Sequence, residues 1–124
     1  MVAKHIGYWV LTVLLALWLV PSGILDLLGF PAVVQILAHL GYPAYVAYIL
    51  GVGKLLAIAA ILYPGTRLLR EWAYAGIIFN MIGAFVSHVA SHDPVPTALA
   101  PVLVLAFAAG GYLLRPDQYK LRAA

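Results

Sequence analysis

The chain has 124 residues, 65% of them hydrophobic and 9% charged, with a mean hydropathy of +1.03, a formal net charge of +3 and no cysteine. A soluble domain carries about 25% charged residues, so a water-soluble monomer is excluded and the solvent of this chain is lipid. The missing cysteines remove disulfides, thiolate zinc sites, iron–sulfur ligation and thiol redox chemistry, and the seven basic residues are too scattered to form a patch that would grip nucleic acid.

A membrane-crossing helix needs about 20 mostly apolar residues. Hydropathy and turn signals predict four, at about 7–28, 44–63, 72–91 and 95–114, in a single all-α domain over residues 1–124: a transmembrane four-helix bundle. The first, from Gly7 to Leu28, is too long and too closely flanked by aromatics for a signal-peptide core, and Pro21-Ser22-Gly23 within it predicts a kink. Between the first two spans, Pro31 opens and Gly41 closes a helix of about ten residues, 31–40, too short to cross. Val33, Val34, Ile36, Leu37 and Leu40 leave Gln35 and His39 on its polar face, so an interfacial position is expected. Glu71 reads as a dipole-complementing acid beside Arg67 and Arg70 at the start of the third span. His92-Asp93-Pro94 reads as the wet end of that span and a tight turn into the fourth. The fourth span has almost no polar side chain beyond Thr97, is bent by Pro101, and is expected to face lipid or a second copy in a homodimer.

Direction follows from the loops. Lys4, Arg67, Arg70, Arg115, Lys120 and Arg122 all fall on one side, whereas segments 29–43 and 92–94 hold no Lys or Arg, so both termini are expected in the cytoplasm. Tyr8, Trp9, Tyr42, Tyr45, Tyr63, Trp72, Tyr74 and Tyr112 fall near span ends, as an aromatic belt requires.

Polar side chains at membrane depth are costly unless they face the bundle interior and find partners, so each marks a candidate site. Lys54 lies in the middle of the second span and Asn80 near the middle of the third. Asp26 and His88 lie about 13 Å and about 10 Å from the midpoints of their spans, both toward the external side, at about 1.5 Å per residue. Because Cβ atoms tilt toward the helix N-terminus, Asp26 and Lys54 lean toward each other in depth, and an ion pair between them is expected. Ser22, Asp26, Lys54, Asn80, Ser87 and His88 are expected to line a polar cavity in the outer half of the bundle. A purely structural ion pair that fixes helix register is the competing reading of Asp26 and Lys54. His88 and His92 have the four-residue spacing of metal ligands, but no third ligand or acidic motif accompanies them, and no metal is expected.

The runs Ser22-Gly23 with Asp26-Leu27, Leu40-Gly-Tyr-Pro43, Ile49-Leu-Gly-Val-Gly-Lys54, Glu71-Trp-Ala-Tyr-Ala-Gly76, and Gly83-Ala84 with Ser87-His88 and Asp93-Pro94 resemble the DoxX-like family of small four-span membrane proteins, over residues from about 8 to 115. The resemblance implies a bacterial-type cytoplasmic-membrane protein with a polar centre, in which Asp26, Lys54 and His88 fall on motif positions and Asn80 lies outside the matching runs. The wider DoxX group is functionally mixed: it includes subunits of thiosulfate:quinone oxidoreductase, oxidative-stress membrane complexes and eukaryotic relatives that assist receptor assembly. A fold transfers no activity by itself.

The expected function is therefore that of an accessory membrane subunit, not an enzyme on its own, whose cavity binds a small amphipathic ligand. A quinone headgroup or a lipid leads, with a quinone-linked oxidoreductase as the partner enzyme and no catalytic residue assigned. Lys54 would donate to a carbonyl or phosphate oxygen, Asp26 would hold Lys54 charged, and His88 would hydrogen-bond or exchange a proton. The rivals are an assembly or structural subunit without ligand, acting through a membrane protein partner, and a small transporter or proton path; the latter lacks an inverted repeat or paired broken helices.

Overall fold

The computed structural model describes residues 2–63, 65 and 67–121; Arg122, counted above among the basic flanks, lies outside them. Five helices follow one another: α1 (Val2–Leu27), α2 (Pro31–His39), α3 (Val46–Leu62), α4 (Arg67–Ala90) and α5 (Val95–Leu114), with a 3₁₀ turn at Asp117–Tyr119 and no strand among the described residues. α1, α4 and α5 are long and apolar enough to cross a bilayer, whereas α3 has 17 residues and is shorter than the expected span. α1 and α4 each begin about a turn before the predicted apolar stretch, because Lys4 and Arg70 are good helix formers and hydropathy marks the lipid-facing stretch, not the end of hydrogen bonding.

The four long helices form a ring in which α1 packs on α3 and α5, and α4 on the same two. Neighbours run antiparallel. A Cβ added to Gly23 would meet Leu55, and one added to Gly51 would come within 2.8 Å of the Gly23 carbonyl oxygen and 3.0 Å of the Leu27 amide nitrogen. No side chain fits there, so Gly51 is what lets α1 and α3 approach to backbone contact. The space beside Gly51 is thus taken by the backbone of the neighbouring helix. Pro21 sits within a continuous α1.

The packed core, including Leu15, Leu19, Ile58, Ile61, Tyr74 and Ile77, fills the half of the ring that carries the chain termini. The outer surface is the reverse of a soluble protein's: Leu17, Leu56, Phe79 and Leu113 are all more than 60% exposed. Such a surface is stable in lipid and not in water, which makes the chain an integral membrane protein. α5 has both faces: Ala98, Val104, Ala108 and Gly111 turn its small-residue face into the ring, where it packs on α1 and α4, while Val95, Leu99, Leu103 and Leu113 stay exposed as a lipid-facing span requires. One expectation needs correction. Tyr8 and Tyr74 belong to the core, not to an aromatic belt, since both are essentially inaccessible.

Arg70 departs furthest from the sequence reading. It is 1% exposed, and its guanidinium donates to the Ile61 carbonyl from Nε and Nη2 (3.1 and 2.7 Å) and to the Tyr63 carbonyl (2.9 Å) while stacking on the Tyr119 ring. The last carbonyls of a helix lack intrahelical donors, and Arg70 satisfies those of α3 from the first turn of α4. Glu71, expected to act beside Arg67 and Arg70, instead reaches α5, accepting from Tyr112 (2.7 Å) and Arg115 (3.1 Å). Arg70→Lys keeps the charge but loses the planar fork, so it should destabilise the protein by roughly 1–3 kcal/mol. Thermal unfolding in detergent checks this; an unchanged midpoint would show that the cap is dispensable.

Candidate functional site

The other half of the ring is hollow. A cavity of about 490 Å³ lies between the ends of α1, α3, α4 and α5 remote from the chain termini, with α2 across it, and Ser22, Asp26, His39, Lys54, Asn80, His88 and Asp93 all reach its wall. Trp18, Ile36, Leu37, Met81 and Pro101 supply its apolar surface. Of the six residues expected to line such a cavity, the fold brings five together and turns one away: Ser87 on α4 pairs with the Tyr42 hydroxyl at 2.7 Å on the exposed side.

Lys54 sits on the α3 face opposite Ser22 and Asp26, which are four apart and therefore stacked on one face of α1. Its Nζ donates to Ser22 Oγ at 2.6 Å and to Asp26 Oδ2 at 2.8 Å. Their side chains are 13% exposed for Lys54 and 5% for Asp26, so the pair is largely desolvated. The α1–α3 contact at Gly51 sets this distance one turn away. An ammonium carries three donors, and Ser22 and Asp26 use two of them. Asn80 reaches the same wall and makes no hydrogen bond with the described residues.

A second polar cluster lies at the mouth. Asp93, in the α4–α5 turn, receives His88 Nδ1 on one carboxylate oxygen (2.6 Å) and His39 Nε2 on the other (2.5 Å). These hydrogen bonds, His88's the stronger influence and His39's next, hold the Asp93 carboxyl below its ordinary range. The ionised carboxylate only accepts, so both ring nitrogens must be donors, and the other ring nitrogen of His88, Nε2, has no partner among the described residues. The sequence reading took His39 for the solvated face of a surface helix and Asp93 for turn chemistry. In the fold they join α2 to the α4–α5 turn. His92 does not share a helix face with His88: α4 ends at Ala90, and His92 takes a left-handed conformation with φ of 58°. Among the described residues, no group of three or more His, Asp or Glu side chains is arranged to hold a metal.

The signal missed in the sequence was a census. There are four acidic residues, Asp26, Glu71, Asp93 and Asp117, and each is paired with a base: Lys54, Arg115, His39 with His88, and Lys120. In a chain this apolar, a carboxylate is not spent on a loop without a partner, and the acid closest in sequence to His88 was the place to look.

The comparison with curated proteins gives no match, and neither does the comparison with solved structures. A profile of the DoxX-like family matches residues 10–111, a stretch that runs from the first turns of α1 to the last turn of α5 and takes in Ser22, His39, Asp26, Lys54, Asn80, His88 and Asp93. The chain therefore belongs to the DoxX-like family.

Proposed function

We propose that the protein crosses a bacterial-type cytoplasmic membrane four times, with both termini in the cytoplasm and α2 at the external interface, and that its outer cavity binds the oxygen-bearing headgroup of a membrane-soluble amphiphile such as a quinone or a lipid. The topology is supported by Lys4, Arg67, Arg70, Arg115 and Lys120 flanking one end of the helices, against no Lys or Arg in the segments at the other. The observation that carries the binding reading is that unused hydrogen-bonding capacity converges on one cavity: the third donor of Lys54, the Asn80 amide and His88 Nε2. An ammonium donor, a carboxamide and an imidazole nitrogen around a half-apolar chamber match a carbonyl or phosphate oxygen attached to a hydrocarbon body. Asp26 keeps Lys54 charged, and Asp93 orients His88 so that a proton can be exchanged at Nε2. A partner enzyme in the membrane would supply or take the ligand.

The pairing of Lys54 with Ser22 and Asp26 also favours a structural reading, in which the charges fix helix register and the protein assists assembly of a membrane complex. Organic extraction of the purified protein, with mass spectrometry of quinones and lipids, separates the two. A retained ligand near one per chain, reduced at least about tenfold in Lys54→Met, is the expected result. Preparations that carry none, or Lys54→Met preparations that carry as much as the parent, would refute the binding reading.

A further inference from the structure

A second space adjoins the cavity. Between α3 and α4 an apolar groove of about 500 Å³ is lined by Gly53, Leu56, Ala57, Trp72, Gly76 and Ile77, and it shares Leu50, Lys54 and Asn80 with the polar cavity. The two spaces thus meet at the residues with spare donors. From Ile49 to Ala60 the groove follows α3 for about 16 Å, away from the cavity and toward the end that carries the termini. A Cβ added to Gly53 or Gly76 would meet nothing within 4 Å, so these glycines, unlike Gly51, face open space.

We propose, resting on the binding reading above, that this groove holds the hydrocarbon tail of the molecule whose head lies at Lys54 and Asn80, so that the ligand class is a long-chain amphiphile bound head-inward through the gap between α3 and α4. A head placed against Lys54 has its attachment point at the junction of the two spaces, and the groove is the apolar exit toward the membrane interior. A compact polar solute would leave the groove irrelevant, whereas a head held at Lys54 and Asn80 with a tail attached uses both spaces at once. A smaller apolar recess of about 300 Å³ on the other side of α1, at Leu17, Trp18, Pro21 and Leu25, also touches Ser22 and Asp26 and is the competing exit. It is smaller and reaches neither Lys54 nor Asn80.

The test uses the full chain in detergent, with two head–tail pairs: menadione against a naphthoquinone bearing four isoprene units, and dihexanoyl- against dioleoyl-phosphatidylglycerol. Competition from surrounding hydrocarbon keeps the tail's gain modest, on the order of tenfold in affinity over the short-chain probe. Gly53→Leu with Gly76→Leu, which fills the groove, should abolish that gain while leaving short-chain binding unchanged; whichever head shows this pattern identifies its source. A long-chain probe with a diazirine at the tail terminus should label peptides containing Leu56 and Trp72 in the unmodified protein, so the result does not depend on the variant's folding. A gain that survives the filled groove, a gain removed by Leu25→Trp instead, or labelling confined to Leu17 and Leu25 would overturn the tail assignment and leave the headgroup site standing. Failure of both short- and long-chain probes to bind would sink both.

Discussion

Asp26→Asn should be the most damaging single substitution in the protein, lowering its stability by about 3–5 kcal/mol. The change removes the carboxylate 2.8 Å from the Lys54 ammonium and leaves that cation, its side chain 13% exposed, with neutral acceptors only, Ser22 Oγ among them. The cost comes from the abandoned charge more than from the lost attraction, because little water reaches an ammonium whose side chain is 13% exposed. Lys54→Met abandons the Asp26 carboxylate, whose side chain is 5% exposed, and should also be strongly destabilising, whereas Asp26→Leu combined with Lys54→Met should recover most of the stability, since an apolar pair of similar volume needs no counterion. Unfolding of the four proteins in one detergent, followed by circular dichroism, measures the ordering. Equal stability of Asp26→Asn and the parent would mean that the ion pair does not hold the bundle. The double variant also separates structure from function: if it folds like the parent and retains no ligand, the charges serve binding; if partner assembly persists with the pair gone, the charges served neither.

The order of the helices was legible in the sequence because lipid imposes a length and a hydropathy that no other environment demands, and the kink-prone Pro21 changed neither. The Asp26–Lys54 pair was legible for the same reason: two opposite charges at adjoining depths in a medium without water have few alternatives. Three features were hidden. Arg70 looked like a flanking charge, but helix-end carbonyls compete for such a group, and which carbonyl it meets depends on how tightly the α3–α4 turn folds back. Nothing local marks Gly51 as the point of closest approach, yet the neighbouring backbone fills the space beside it, a fact fixed by the interhelical distance and not by local sequence. His39 and Asp93 are 54 residues apart, and their meeting depends on α2 lying back across the ring, which amphipathicity alone does not decide. Periodicity reports what faces lipid; it does not report which inward groups touch.

Asp93→Asn should release α2. That helix packs lightly, against α3, and buries Leu37; its other ties to the ring are His39 to Asp93 and, just beyond its end, Tyr42 to Ser87. An asparagine can accept from one histidine but presents an amide N–H in place of the second carboxylate oxygen, so at least one of the two ring nitrogens loses its acceptor. Hydrogen–deuterium exchange of the Pro31–His39 backbone should then quicken on the order of tenfold, as expected for the loss of one net hydrogen bond, while α1 and α4 exchange as before. The same tie sets a pH dependence whose direction is fixed. The folded protein holds the Asp93 carboxyl below its ordinary value of 3.8, so the unfolded chain binds the proton more readily between the two values. The contribution of Asp93 is complete above the ordinary value and is lost as the pH falls through the lowered one; α2 should therefore loosen only in acid, and in Asp93→Asn it should already be loose at neutral pH. If α2 exchanges at the parent's rate in Asp93→Asn, the closure over the cavity rests on Leu37 and Tyr42 instead.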